Sequence, residues 1–413
     1  MTLPAMTLPR PDLLQNLADA RALRIASDLG RSLRAVDRGL DATASIIVDG
    51  RRLRDFASND YLGLARDPAL VEALIAAARR GGVGASAAHL LGGHREEHAA
   101  LEEALAAWTG RERALLFSTG YMANLGAMQA LLAHGDAGAM AQPALCVQDK
   151  LNHACLIDAA RLAGSTLRRY RHAEVDGARR QLETQPGVAA LVATDGVFSM
   201  DGDVAPLRAL ADLCRTQHAT LMVDDAHGLG VLGPRGAGSL AEAGIDQGHA
   251  PVLMATLGKA LGVAGAFVAG PAVLIDGLVQ FARAHIYTTA MPPALAAAAL
   301  VAVRIARGDD ERRARLTRHI TLFRAGAAAR GIALLPSRTP IQPVAIGDST
   351  AALCAARTLE AAGFFVPAIR PPTVAAGSAR LRVTLSAAHA DADIEQLLDT
   401  LATTLAPIGE GRQ

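Results

Sequence analysis

At 413 residues the chain is long enough to bury a large core. A formal net charge of +1 and only 3% aromatic residues give no reason to expect a nucleic-acid or anionic-membrane partner. The four cysteines, Cys146, Cys155, Cys214 and Cys354, form no CxxC pair, which argues against a structural zinc site or a disulfide framework and leaves them as small apolar residues.

The opening stretch "MTLPAMTLPRPDLLQN" lacks the basic start and apolar run of a secretory signal, so the chain reads as soluble and cytoplasmic. Its repeated "MTLP" suggests an alternative start at Met6. A helical arm and a short strand, "ASIIVDG", come next. Short apolar runs then alternate with helical patterns. "RALLFST" leads into "GYMANLGAMQALLAHG", with Ser118, Thr119 and Gly120 at the helix start. Free backbone N–H groups there suit a phosphate, although an ordinary helix cap reads the same way. "ALCVQD" precedes the helix "HACLIDAARLAG", and "STLRRYRH" precedes "EVDGARRQLET". "GVAALVATDG", "ATLMVDDAHG", "PVLMATLG" and "AGAFVAG" complete the series. Strands of this length, bounded by helices and glycines, predict a mainly parallel sheet covered on both faces. Ligands of such sheets bind at the carboxyl ends of strands, where "TDG", "DDAH" and "TLGK" each close an apolar run. Prolines around Met291 and Pro336 mark boundaries, and a helix-rich tail follows with strands near "PVAIG" and "RLRVTLS". The stretch "ALAAAALVAV" in that tail is too short to span a bilayer. The chain divides accordingly into an arm (1–55), a large unit (56–290) and a smaller C-terminal unit (291–413).

Asp224 and Asp225 end one of these runs, with His227 three residues after Asp224. Alone, that spacing fits carboxylates capping a following helix, and it lacks the further ligands a metal would need. Lys259 is different in kind. "MATLGKALG" sets a single lysine after an apolar run and between glycines. Such an amine is either solvated or kept partly desolvated, and then it is nucleophilic near neutral pH and forms a Schiff base with a carbonyl. A carboxylate facing a ring nitrogen, together with a Schiff-base lysine, is the pair that pyridoxal 5'-phosphate requires. "GGVGASAAHLLGG" holds neither a P-loop nor a GxGxxG turn, which weighs against a nucleotide.

With these residues assembled, the chain resembles the α-oxoamine synthases, pyridoxal-phosphate enzymes of the fold-type I aminotransferase class. The likeness runs from about Arg34 to beyond His389, through "SNDYLGL", "FSTGYMAN", "LNHACLIDA", "TDGVFSMDGD", "VDDAHGLGVLG", "TLGKALGVAGAFV", "IYTTAMPPA" and "RPPTVAAGSARLRVTLSAAH" in order. It implies an α/β fold: a large domain with a mainly parallel seven-stranded sheet between helices, a smaller α+β C-terminal domain and an N-terminal arm. It also implies a homodimer with active sites at the interface. Within the family, "DDAHG", "IYTTAMPP" and the run after Arg370 most resemble members that join L-alanine to a pimeloyl thioester, carried on CoA or on an acyl carrier protein, in biotin biosynthesis.

Carried over by position, the resemblance gives Lys259 the cofactor's aldehyde and Asp224 its pyridine nitrogen. His227 and Ser199 lie near the ring's 3-oxygen, and His153 stacks on the ring. Gly120 and Tyr121 offer backbone N–H groups near the phosphate, Thr256 adds a hydroxyl, and Thr288 of the neighbouring subunit completes that site. Arg370, Thr373 and Arg382 handle substrate carboxylates, without a choice between Arg370 and Arg382 for the alanine carboxylate, and Arg34 reaches the acyl chain's far end. No metal is implied. The alternatives are a sister synthase using glycine or serine, a non-catalytic partner subunit of the same fold, and a nicotinamide dehydrogenase. The retained Lys259, Asp224, His227 and His153 count against the second, and the missing GxGxxG against the third.

Overall fold

The computed structural model describes residues 10–27, 29–38, 44–133 and 143–410. The repeated "MTLP" with Met6 lies outside the described residues. Fourteen strands are described. Val36–Asp37 (β1), Ser45–Val48 (β2) and Arg51–Asp55 (β3) follow the arm helix Leu13–Ala26. The next seven are Arg113–Phe117 (β4), Leu145–Asp149 (β5), Thr166–Tyr170 (β6), Ala190–Asp195 (β7), Thr220–Asp224 (β8), Val252–Thr256 (β9) and Ala266–Gly270 (β10). They are the seven apolar runs of the sequence, and they form one sheet in the order β4-β10-β9-β8-β7-β5-β6. Only β10 runs against its neighbours, so the sheet is mainly parallel, as expected.

Helices on both faces explain why the inner strands read as apolar runs, while the edge strand β6, TLRRY, does not. Every residue of β5 and of β10 is buried. On one face Leu115, Met222 and Val268 pack with Ala127 of the helix Gly120–Leu132 and Leu156 of the helix Ala154–Leu162. On the other, Val147 and Val223 pack with Ala178 of the helix Val175–Leu182 and Leu210 of the helix Leu207–Thr216.

Ile341–Gly347 (β11), Phe364–Phe365 (β12), Ala368–Ile369 (β13) and Ala379–Thr384 (β14) complete the strands. The order β11-β14-β13 makes a second sheet, while β12 pairs in parallel with β3, so the early strands and the C-terminal region share a sheet, β1-β2-β3-β12. β3 was not expected from "RRLRD". Its arginines hide a period-2 pattern in which Leu53 and Asp55 turn inward. The segment after Asp225 also differs from the capping alternative: it is a run of turns, not a helix. Asp225 instead accepts from the Ser239 N–H at 2.7 Å, tying the end of β8 to the following loop.

Candidate active site

The turn that carries Lys259 leaves β9 at Thr256 and returns as β10. Thr256 Oγ1 donates to the Gly265 carbonyl at 3.0 Å and accepts from the Gly258 N–H at 3.2 Å, so the hydroxyl closes the turn between β9 and β10. The Gly262 N–H donates to the Lys259 carbonyl at 2.9 Å. Gly262 has φ +67°, and a Cβ there would lie 2.3 Å from the Ala65 nitrogen. Glycine is needed because the backbone of Leu64–Ala65 presses directly on the turn.

Lys259 is half-buried, and burial draws its pKa below the ordinary lysine value although Asp224 and Asp195 pull the other way. Its Nζ lies 2.9 Å from Nε2 of His227. Burial, with the charges of Lys259 and Arg382, holds His227 well below the ordinary histidine pKa, so its imidazole is neutral. Nδ1 of His227 lies 2.6 Å from the hydroxyl of Tyr61.

Asp224 and Asp195 end neighbouring parallel strands and face each other in register. Asp224 is buried at 4% exposure; it accepts from Asn124 Nδ2 at 2.7 Å and from the Ala226 N–H at 3.0 Å, with no ion-pair partner among the described residues. Burial and the Asp224 charge push Asp195 well above the usual carboxylate range. Asp195 Oδ2 accepts from the His153 N–H at 2.8 Å, which fixes the start of the helix Ala154–Leu162 beside Asp224. His153 Nδ1 lies 2.9 Å from the Cys155 sulfur, and Asn124 donates to that sulfur at 3.0 Å. His153 itself stays exposed. At the start of the helix Gly120–Leu132, Thr119 accepts from the Met122 N–H at 3.2 Å. The N–H groups of Gly120 and Tyr121 donate to nothing among the described residues.

Arg382 on β14 enters from the C-terminal sheet. It donates to the Ser199 carbonyl at 2.6 Å, to Thr384 Oγ1 at 3.0 Å and to Asn59 Oδ1 at 3.2 Å. Although only 5% exposed, it pairs with no carboxylate among the described residues.

The structure therefore gathers Lys259, His227, Asp224, His153, Thr256, Gly120, the backbone of Tyr121, Ser199 and Arg382 at the carboxyl rim of the sheet. Other expected residues lie elsewhere. The Arg34 guanidinium is held by Glu360 at 2.9 and 2.8 Å and by Asp49 at 2.7 Å on the surface. Thr288 is half-buried after the short helix Arg283–Ile286, and no hydrogen bond ties it to the cluster among the described residues. Thr373 is exposed, with its N–H on the Arg370 carbonyl at 3.1 Å, in the segment that follows β13. Sequence reasoning gave no role to Asn59, Tyr61, Asn124 or Cys155, although all four sit inside quoted motifs; a polar side chain within the apolar stretch "YMANLG" was the available signal for Asn124.

A separate group, His89, His94 and His98, brings ligand nitrogens within 4.8 Å of one another. His98 has both nitrogens engaged, Nδ1 by the Arg95 N–H at 2.9 Å and Nε2 by the Met291 carbonyl at 2.8 Å. That leaves two imidazoles, too few for a closed metal site.

Residues 52–401 match the family model described as aminotransferase class I and II. Proteins named 8-amino-7-oxononanoate synthase from Alkalilimnicola ehrlichii and Xylella fastidiosa are 53% and 50% identical, covering 95% and 97% of this chain and 98% and 100% of their own. A solved serine palmitoyltransferase from S. paucimobilis, with bound PLP–myriocin, is similar with a TM-score of 0.89 at 27% identity over 97% of this chain and 100% of its own. A crystal structure of 8-amino-7-oxononanoate synthase from Francisella tularensis gives 0.74 at 29% identity, over 86% and 98%.

Proposed function

This chain belongs to the aminotransferase class I and II family, and from that premise we propose that it joins L-alanine to a pimeloyl thioester, on CoA or an acyl carrier protein, to give 8-amino-7-oxononanoate, carbon dioxide and the free thiol. It is a pyridoxal-phosphate-dependent acyltransferase of biotin biosynthesis. The observation that carries the reading is Lys259, a half-buried amine 2.9 Å from a neutral imidazole at a rim that also holds an unpaired buried carboxylate.

The donor set fits the cofactor. Asp224, with no cation partner among the described residues, suits a protonated ring nitrogen, and the N–H groups of Gly120 and Tyr121, unpartnered among the same residues, suit a phosphate. Neither Gly120 nor Gly258 crowds the space: a Cβ would meet nothing closer than 3.7 and 3.6 Å. When bound, the cofactor supplies an aldehyde that captures amines and a ring that withdraws electrons from the substrate's Cα.

The chain's own residues do the rest. Lys259 Nζ, partly desolvated, takes and later returns the Cα proton of the amino acid. Asp224 would face the ring nitrogen, while Asp195, pushed well above the usual carboxylate range by burial and the Asp224 charge, accepts from the His153 N–H. His153 would cover the ring face, Ser199 and His227 would serve the ring oxygen and Thr256 the phosphate, with Thr288 of a second copy beside it. We assign the alanine carboxylate to Arg382, whose fork has spare donors and no carboxylate of its own. Arg370, Thr373 and Arg34 are the proposed contacts of the pimeloyl thioester; Arg34 would first leave Glu360 and Asp49. A cytoplasmic homodimer belongs to the same reading. No helix among the described residues is long and apolar enough to cross a membrane. The arm helix buries none of its residues, so Leu13, Leu14, Leu17 and Leu23 leave apolar surface for a second copy.

The test is thiol release from pimeloyl-CoA with L-alanine, glycine or L-serine, alongside the visible spectrum of the cofactor-loaded protein. Alanine should give the fastest release and the largest spectral change; a stronger response to glycine or serine makes this a sister synthase. Lys259→Ala should fold, leave the cofactor unfixed by borohydride, and lose turnover by at least about a hundredfold. Full activity in that variant refutes the scheme.

A further inference from the structure

Tyr61 is wholly buried, at 0% exposure, and a buried phenol needs partners. It has two. The hydroxyl lies 2.6 Å from Nδ1 of His227, whose Nε2 faces Lys259 Nζ at 2.9 Å. It also donates to Asn59 Oδ1 at 3.2 Å, the oxygen that Arg382 contacts at 3.2 Å. A phenol has one proton. Given to Asn59, it leaves the phenol oxygen to accept from Nδ1–H of His227. A neutral imidazole with its proton on Nδ1 turns a bare Nε2 lone pair toward Lys259. The donors then run in one direction, from Lys259 to His227, from His227 to Tyr61 and from Tyr61 to Asn59. Burial keeps the middle of this chain neutral: it holds His227 well below its ordinary pKa and, against the charge and hydrogen bond of Arg382, pushes Tyr61 up to about 12.

We infer that Tyr61 is a positioning residue for Lys259: its hydroxyl holds the His227 proton on Nδ1, so that the amine meets an acceptor and not a second donor. The inference rests on the reading of Lys259 as the reactive amine. The charged and titratable groups around that amine are Asp224 and Asp195 at the ends of β8 and β7, Arg382 on β14, His153 and Cys155 at the start of the helix Ala154–Leu162, and His227. Among the described residues, His227 is the group within hydrogen-bonding distance of Nζ, so the effect of Tyr61 has to pass through it.

The chain has two lysines, Lys150 and Lys259, which makes a direct titration practical. Cofactor-free protein is labelled with cyanate across a pH series, and the rate at Lys259 is read by mass spectrometry with Lys150 as internal control. In Tyr61→Phe the Nδ1 proton loses its acceptor, the imidazole moves to the Nε2–H form, and that N–H opposes the ammonium. The Lys259 midpoint should fall by up to about one pH unit, raising its labelling below the midpoint about tenfold. In a His227→Asn background, Tyr61→Phe should shift nothing. An unchanged midpoint, or an equal shift without His227, overturns the inference. If Tyr61→Phe loses its near-ultraviolet circular dichroism, Asn59→Ala takes its place: it frees the phenol proton for Nδ1 and should shift the midpoint the same way. The labelling reads Lys259 without cofactor, so failure of the cofactor role shows separately, as borohydride fixation somewhere other than Lys259.

Discussion

His172 carries a pH dependence that belongs to single residues. Its Nδ1 lies 3.1 Å from Asp149, at the end of β5, and its Nε2 2.8 Å from Asp203, so it clamps the loop that carries Ser199 against the sheet rim. Burial pulls its pKa down, but the hydrogen bonds to Asp149 and Asp203 prevail and lift it to about 10. A histidine raised above its unfolded value near 6.5 stabilises fully below that value and loses its contribution as pH rises through about 10. His172→Gln should therefore cost about 1–3 kcal/mol at pH 6 and progressively less toward pH 10, measured by urea unfolding at both. An equal cost at both pH values removes the charged clamp. At this scale Lys259, Asp224 and His227 were legible, because each follows an apolar run within one motif. Tyr61 and Asn59 were not, since their partners His227 and Arg382 lie 166 and 323 residues away. The proposed choice of Arg382 over Arg370 rests on contacts of the same long-range kind.

Among elements, the Lys259 turn shows how local chemistry and tertiary packing divide the work. "TLGK" predicts a glycine-rich turn at a strand end, and Thr256 closes it with bonds inside the motif. The demand for glycine at position 262 comes from elsewhere, from the backbone of Leu64–Ala65 pressed against it. Gly262→Ala should destabilise the fold by about 2–4 kcal/mol and, by pushing the turn away from the Tyr61 segment, weaken cofactor capture as well. Thermal unfolding and cofactor titration measure the two; loss of neither means that the close approach is easily relieved. The inner strands of the main sheet were readable because burial on both faces makes them apolar runs, whereas the edge strand β6 keeps two arginines. β3 was hidden by its arginines, and β12 and β13, at two residues each, are too short to leave a pattern.

The whole molecule is more interleaved than a division of the chain suggests. One apolar cluster runs from Phe56 to Leu401, and β3 pairs with β12 across some 300 residues of sequence. We propose the boundaries near 55 and 290 as limits of folding units and not of separable bodies. The proposed homodimer should sediment near twice 42.7 kDa, and truncation of the arm through Ala26 should weaken association; a monomer at working concentration would remove Thr288 from the phosphate site. By itself the sequence determined the sheet, the rim at which Lys259, Asp224 and His227 meet, and the family, because those depend on short-range patterns: apolar runs, turn glycines and helix starts. Only the tertiary structure decided what Arg382 contacts, where Arg34 is held, and how Tyr61 is tied to Lys259. Those are meetings of residues far apart in the chain, set by how distant elements pack, and no local pattern encodes them.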